Sequence, residues 1–278
     1  MKKLTPSRRD ALKFMASAVG GLSALALLNC GEGVEGATGG GTGATGGGTG
    51  STVAWASAGT SVMAGKDYGN PFASGIGTTC NVYKSATEGP CHSTSGNLER
   101  SDLSEGFEGV PTRLEFLIVD AACNPVPNAT VELWHCDTFG VYSGDIDGNN
   151  DAMCTGGDAQ AAAANWGRGH QTSGADGRVT FDTNFPGWYA SRATHIHFRV
   201  TVSGTEYIVS QLFFDEALKS EIYDSQPNYN PTSGAGYQTN STDKVVSEAA
   251  LTLSEVVFST ARQSDGALLA WKAITINS

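Results

Sequence analysis

An all-β fold, a β-sandwich, is what this chain predicts, and three observations predict it. Short segments alternate apolar and polar residues, turn signals separate them, and near residue 79 the composition changes from small polar residues to aromatic and β-branched ones. The alternating segments are 113–119, 130–135, 178–183, 194–202 and 206–214. Asn124-Pro125, Asp147-Gly148 and Asp176-Gly177 are written as turns. Residues 247–259 and 266–277 supply further strands or one short helix. A folded unit spanning 79–278 is long enough for one sizeable core, and no second domain or internal repeat is visible.

What precedes this unit is of another kind. Residues 1–30 carry a basic start, a pair Arg8-Arg9 followed by Leu12 and Lys13, and then an apolar run ending at Leu28, which together resemble a twin-arginine export signal. Ala11 stands where that pattern usually carries Phe, so a general secretion signal is the alternative. The apolar run falls short of the roughly 20 residues of a spanning helix and contains Gly20 and Gly21. Leu27-Leu28-Asn29-Cys30 resembles a bacterial lipobox, which implies a lipid anchor at Cys30, and release after cleavage elsewhere is the other reading. Residues 31–78 read as a flexible tether, with 31–52 almost wholly Gly, Thr, Ser and Ala, a composition with little apolar area to bury. The expected address is therefore the periplasm or the cell surface.

The chain carries a formal net charge of -11, and removing the first 29 residues, five basic against one acidic, leaves about -15. An acidic domain without a basic stripe excludes nucleic acid as a partner. Five cysteines follow Cys30, namely Cys80, Cys91, Cys123, Cys136 and Cys154. An oxidising compartment would pair some of them; the odd count leaves the connectivity open, and no C-x-x-C spacing suggests a thiolate metal site.

The run P-G-W-Y-A-S-R-A-T-H-I-H-F begins at Pro186 and ends at Phe198. In a β-strand His195 and His197 point the same way, while Ile196 and Phe198 face the other side, where an apolar core can take them. Both imidazoles are thus offered on one rigid face, with Tyr189 and Arg192 just upstream. A second run, C-N-P-V-P-N-A-T-V-E-L-W-H-C-D-T-F-G-V-Y-S-G, begins at Cys123 and brings in Tyr142.

Tyr142 in G-V-Y-S-G, Tyr189 in P-G-W-Y, and His195 with His197 in H-I-H resemble the four iron ligands of the intradiol ring-cleavage dioxygenases, the catechol and protocatechuate type. The likeness extends from Thr87-Glu88-Gly89-Pro90 to Phe214 and is nearest to the exported, shorter members. It implies a prealbumin-like sandwich, a non-haem ferric iron, a catecholic substrate, dioxygen, and a muconate-type diacid as product. It also implies that Tyr189 is the ligand displaced by substrate, and that Arg192 and Gln211, the latter in V-S-Q-L-F-F, are the active-site polar residues. The donor chemistry agrees, because two phenolates with two imidazoles suit a trivalent iron better than zinc or calcium.

Blander roles fall to other residues. Trp134 and Trp188 are expected in the core or pocket wall, His92 at the surface, and His170 at the pocket mouth; His135 and His170 are superfluous as ligands once the four are counted. Only five residues separate Tyr189 from His195, shorter than in cytoplasmic members, which implies a more open pocket. No N-terminal helical dimerisation segment is apparent, so the oligomeric state stays open. The competing function is a non-catalytic cell-surface sandwich that binds a catecholate or a carbohydrate.

Overall fold

The computed structural model describes residues 53–94, 97–144, 151–189 and 191–278. The expected export signal, Cys30, the Gly-rich run through residue 52 and the Asp147-Gly148 turn lie outside the described residues.

Eight strands form two four-stranded sheets. Strands β1 (Pro111–Val119), β4 (Arg178–Asn184), β7 (Ser259–Arg262) and β8 (Leu268–Thr275) make one, in the order β4-β1-β8-β7. Strands β2 (Ala129–Trp134), β3 (Arg168–Thr172), β5 (His195–Val202) and β6 (Thr205–Phe213) make the other, in the order β3-β2-β5-β6. Pairing is antiparallel except between β1 and β8. The sheets face each other across one core, to which the first contributes Leu114, Phe116, Phe181, Leu268 and Ile274 and the second Val131, Leu133, Ile196, Phe198 and Leu212. This is the expected sandwich, and each inward side chain sits two residues from the next along its strand, as pleating requires.

The alternation on β2 and β5 decides where chemistry can occur. Leu133 and Val131 enter the core, so Trp134 and Glu132 are turned to the outer face; Ile196, Phe198 and Val200 enter the core, so His195, His197 and Arg199 are turned outward with them. Trp134 is the cross-strand partner of His197, and Gln211 on β6 is its partner on the other side.

The tether was expected to reach residue 78, and here the structure differs. Trp55 is buried, Met63 is wholly buried, and a 3-10 turn at Gly59–Met63 sits beside β1 and β4. Main-chain bonds from Ala56 N to Gly266 O (3.0 Å), Gly59 N to Gly109 O (3.1 Å) and Gly109 N to Ser57 O (3.0 Å) attach the segment, and the Arg262 guanidinium lies 3.7 Å from the Trp55 ring centre. The reason is apolar area: Val53, Trp55, Met63 and Phe72 interrupt the small-residue composition, and the area that Trp55, Met63 and Phe72 bury together with the main-chain bonds opposes the freedom the segment loses.

Two disulfides join Cys80 to Cys123 and Cys91 to Cys154, while Cys136 is free and buried. A ten-residue helix, α1 (Glu216–Ser225), was not expected; Asp215 caps it by accepting from Ala217 N and Leu218 N. Two shorter helices, α2 (Lys244–Glu248) and α3 (Leu253–Val256), occupy part of the stretch expected to hold strands or a helix, and β7 and β8 complete it. Among the described residues no helix is long and apolar enough to cross a membrane.

Phe198 is fully buried between the sheets and meets Tyr83 edge-on at 5.4 Å. Phe198→Ala is expected to cost about 3–5 kcal/mol, read as a lowered midpoint in urea unfolding with little change in slope.

Candidate metal centre

The outer face of the β3-β2-β5-β6 sheet carries a second, smaller buried cluster made of Cys91, Trp134, Cys136, Tyr142 and Cys154, with Tyr189 packed against it. His195 and His197 project beside it. All four expected ligands are brought together. Tyr142 Oη lies 3.3 Å from His195 Nε2, and His195 Nε2 lies 3.0 Å from His197 Nε2. The rings of Tyr142 and Tyr189 meet at 5.7 Å, and that of Tyr189 lies 5.8 Å from His195.

Each donor is fixed by its surroundings. His195 Nδ1 is 2.6 Å from Ala193 O, a contact that puts the proton on Nδ1 and turns the Nε2 lone pair inward. His197 stacks on Trp134, ring centres 4.9 Å apart and planes within 7°. The opposite approach to His197 is lined by Gly89, at φ +76, where a Cβ would come within 3.0 Å of His197 Cε1. A side chain at residue 89 would therefore push on the ligand. Tyr142 is held through its backbone, N donating to Cys154 O at 2.8 Å, so the Cys91–Cys154 disulfide ties the strap over His197 to the chain carrying Tyr142.

Arg168, buried on β3, donates to Ser143 O from Nε (2.9 Å) and to Cys91 O from Nη2 (2.6 Å), with its charge 5.9 Å from the Tyr142 ring centre. Burial pushes its pKa down to about 10.

The donor set fits a cation. Burial first, then the neighbouring positive charges, holds His195 and His197 well below the usual imidazole range, so neither takes up a proton readily. The inward lone pair of His195 Nε2 faces His197 Nε2 at 3.0 Å and Tyr142 Oη at 3.3 Å in a dry place, a spacing that suits donors sharing one positive centre. Burial raises both tyrosines, Tyr142 strongly, while Arg192 works the other way on each. A phenol in this position loses its proton only to a strong Lewis acid, and two phenolates would offset most of the charge of a trivalent ion. Among the described residues no group of three or more His, Cys, Asp or Glu is arranged to hold a metal, so any metal here depends on the tyrosines.

Arg192 and Gln211 stand beside this cluster, joined by Arg192 Nη2 donating to Gln211 Oε1 at 2.6 Å; Gln211 Nε2 in turn donates to Thr87 O at 2.9 Å. One partner was missed in the sequence. Asp243 is buried and accepts from Arg192 Nε at 2.9 Å and from Ala193 N at 2.7 Å. The available signal was its position as the N-cap of α2, just before K-V-V-S-E.

The other histidines stand apart from the four donors. His135 is buried, bonded to Cys136 O and to Thr183 Oγ1 (2.9 Å). His170 pairs with Asn97 on β3. His92, expected at the surface, is partly buried between Glu88 (3.3 Å) and Glu132 (2.8 Å) and meets Trp134 edge-on. The correction follows from β2: Glu132 points to the outer face, where its carboxylate takes His92 on one oxygen and Arg199 on the other.

Comparison with known proteins gives a consistent picture. The family model described as "Dioxygenase" matches residues 87–229, just over half of the chain. A hydroxyquinol 1,2-dioxygenase of Nocardioides simplex is 28% identical over 164 residues, covering 48% of this chain and 51% of that protein. One from Corynebacterium glutamicum is 30% identical over 130 residues, covering 45% and 42% respectively. The chain thus spans about half the length of the curated relatives it matches. Among solved structures, an intradiol ring-cleavage dioxygenase from Tetranychus urticae superposes with a TM-score of 0.61 at 28% identity, covering 71% of this chain and 95% of that one.

His135 supplies a pH test away from the four donors. Burial, and more weakly Arg168, lowers its pKa from 6.5 to about 4, against the pull of the Cys136 carbonyl. Below about pH 6.5 the unfolded chain binds a proton that the folded chain does not, so stability present above that pH is lost as the pH falls towards about 4. Urea unfolding of the metal-free protein between pH 7 and 4.5 is expected to show this loss. His135→Gln is expected to flatten the slope by about one proton.

Proposed function

The chain belongs to the intradiol ring-cleavage dioxygenase family, and on that premise we propose that it opens a catecholic ring between its two hydroxylated carbons, taking up both atoms of dioxygen to give a muconate-type diacid. The observation that carries the proposal is the convergence of Tyr142 Oη, His195 Nε2 and His197 Nε2 within 3.3 Å steps, with Tyr189 alongside. Tyr142, Tyr189, His195 and His197 are the residues that would hold a non-haem ferric iron, which when bound supplies Lewis-acid activation of the dihydroxylated ring and a template for its orientation.

The chain's own groups divide the remaining work. Tyr189 is the least buried of the four and stands next to Arg192, so as a phenolate it would be the group placed to take the proton that an entering substrate hydroxyl releases. Arg192 keeps its charge at any working pH, its pKa being raised by Asp243 against the effect of burial, and it favours negative charge developing on the ring. Gln211, the cross-strand partner of His197, holds the Arg192 guanidinium from the other side. Trp134 closes the wall behind His197 and keeps water from that side.

Two relatives are named for hydroxyquinol, so a ring with a third hydroxyl is the first substrate to try, followed by catechol itself. Export belongs to the same proposal. Arg8-Arg9 and Cys30 support a secreted, lipid-anchored protein, and two disulfides are what an oxidising compartment would leave.

The test is a visible spectrum of the iron-loaded protein, with oxygen uptake on a panel of catechols. A phenolate charge-transfer band that shifts when a catechol is added without oxygen, followed by oxygen consumption, is the expected result. Tyr142→Phe is expected to alter the band and lower turnover at least about 100-fold, since loss of outer-sphere partners alone costs about 10–100-fold. Full activity in both Tyr142→Phe and His197→Ala would sink the assignment. A spectrum that shifts with no oxygen consumed would identify a binding protein instead.

A further inference from the structure

Asp243 lies beyond the matched span of residues 87–229, yet its carboxylate reaches the proposed site. Its side chain is 0% exposed and both oxygens are engaged. Oδ2 accepts from Arg192 Nε at 2.9 Å and from Ala193 N at 2.7 Å; Oδ1 accepts from Val245 N at 2.9 Å. Ala193, held in this way at its N–H, is also the residue whose carbonyl receives His195 Nδ1 at 2.6 Å. A single carboxylate therefore clamps Arg192 directly and reaches His195 through the one residue Ala193. Asp243 on Nε and Gln211 on Nη2 hold Arg192 from two sides and leave its planar fork little freedom to swing.

We propose that Asp243 is a positioning residue for the ring-opening reaction, fixing the Arg192 guanidinium against the substrate and the imidazole of His195 in its ligating tautomer. The proposal rests on the iron-dependent reading given above. It also gives the stretch beyond residue 229 a part in the reaction: α2 is the element that delivers the carboxylate, and its cap and its contact with Arg192 are made by the same residue.

Asp243→Asn removes the charge that holds Arg192 and leaves one oxygen able to cap the helix, since asparagine caps about as well as aspartate. In iron-loaded protein, Asp243→Asn is expected to keep the iron content and the resting phenolate band. Its kcat on a catechol is expected to fall at least about 10-fold, the scale of losing an outer-sphere partner. Arg192→Met combined with Asp243→Asn is expected to lose less than the product of the two single losses, since the carboxylate acts largely through the guanidinium. An Asp243→Asn protein within about twofold of wild type, or a double variant in which the two losses multiply, overturns the proposal. If Asp243→Asn alone does not fold, the double variant decides: recovery of folding on removing Arg192 upholds the coupling, and failure makes Asp243 a purely structural residue. The wild-type protein separates this from the underlying reading. A colourless, inactive wild type after ferric loading removes both, whereas a coloured, active wild type with a fully active Asp243→Asn removes the positioning role alone.

Discussion

The two-residue period of β5 governs the rest of this molecule. Ile196, Phe198 and Val200 must enter the space between the sheets, and that requirement alone turns His195, His197 and Arg199 together onto the outer face. A slip of one residue would place two imidazoles in the apolar core and three apolar side chains at the site. Stability and chemistry therefore share one register, which the antiparallel neighbours β2 and β6 lock from both sides. Trp134 and Gln211 are drawn to His197 as a consequence of that pairing.

Burial of polar groups is managed differently at different points around the site. Arg192 is opposed by a carboxylate, whereas Arg168 is satisfied by main-chain carbonyls, with the Tyr142 ring nearby. A buried guanidinium without a carboxylate costs free energy that a neighbouring phenolate would offset. Glu132 receives His92 and Arg199, so the outer face carries a closed polar network beside the aromatic one. His197 Nδ1 and Trp134 Nε1 are buried without a partner, which leaves their mutual stack and the strap at Gly89 to orient the imidazole.

Much of this was legible in the residues, and the legible part has a common cause. Period-two alternation carries its meaning locally, so the sandwich, the shared face of His195 and His197 and the inward path of Ile196 and Phe198 could be read directly. Tyr142 and Tyr189 were recognisable only through the motifs around them, because a tyrosine near a turn is ordinarily packing. What escaped were relations between distant segments. Asp243 meets Arg192 across 51 residues, and nothing in K-V-V-S-E announces the partner. The disulfide pairs were equally hidden, as was the docking of Trp55 on the guanidinium of Arg262. His92 was misjudged because its burial depends on Glu132 from another strand.

The Cys91–Cys154 link has a consequence for how the protein matures. It fastens the strap bearing Gly89 to the stretch that holds Tyr142, so the cradle acquires its last covalent restraint only when two thiols are oxidised. Synthesis in a reducing solution would leave those walls joined by hydrogen bonds alone. An oxidant would then supply the covalent restraint on those walls that the sheets do not provide.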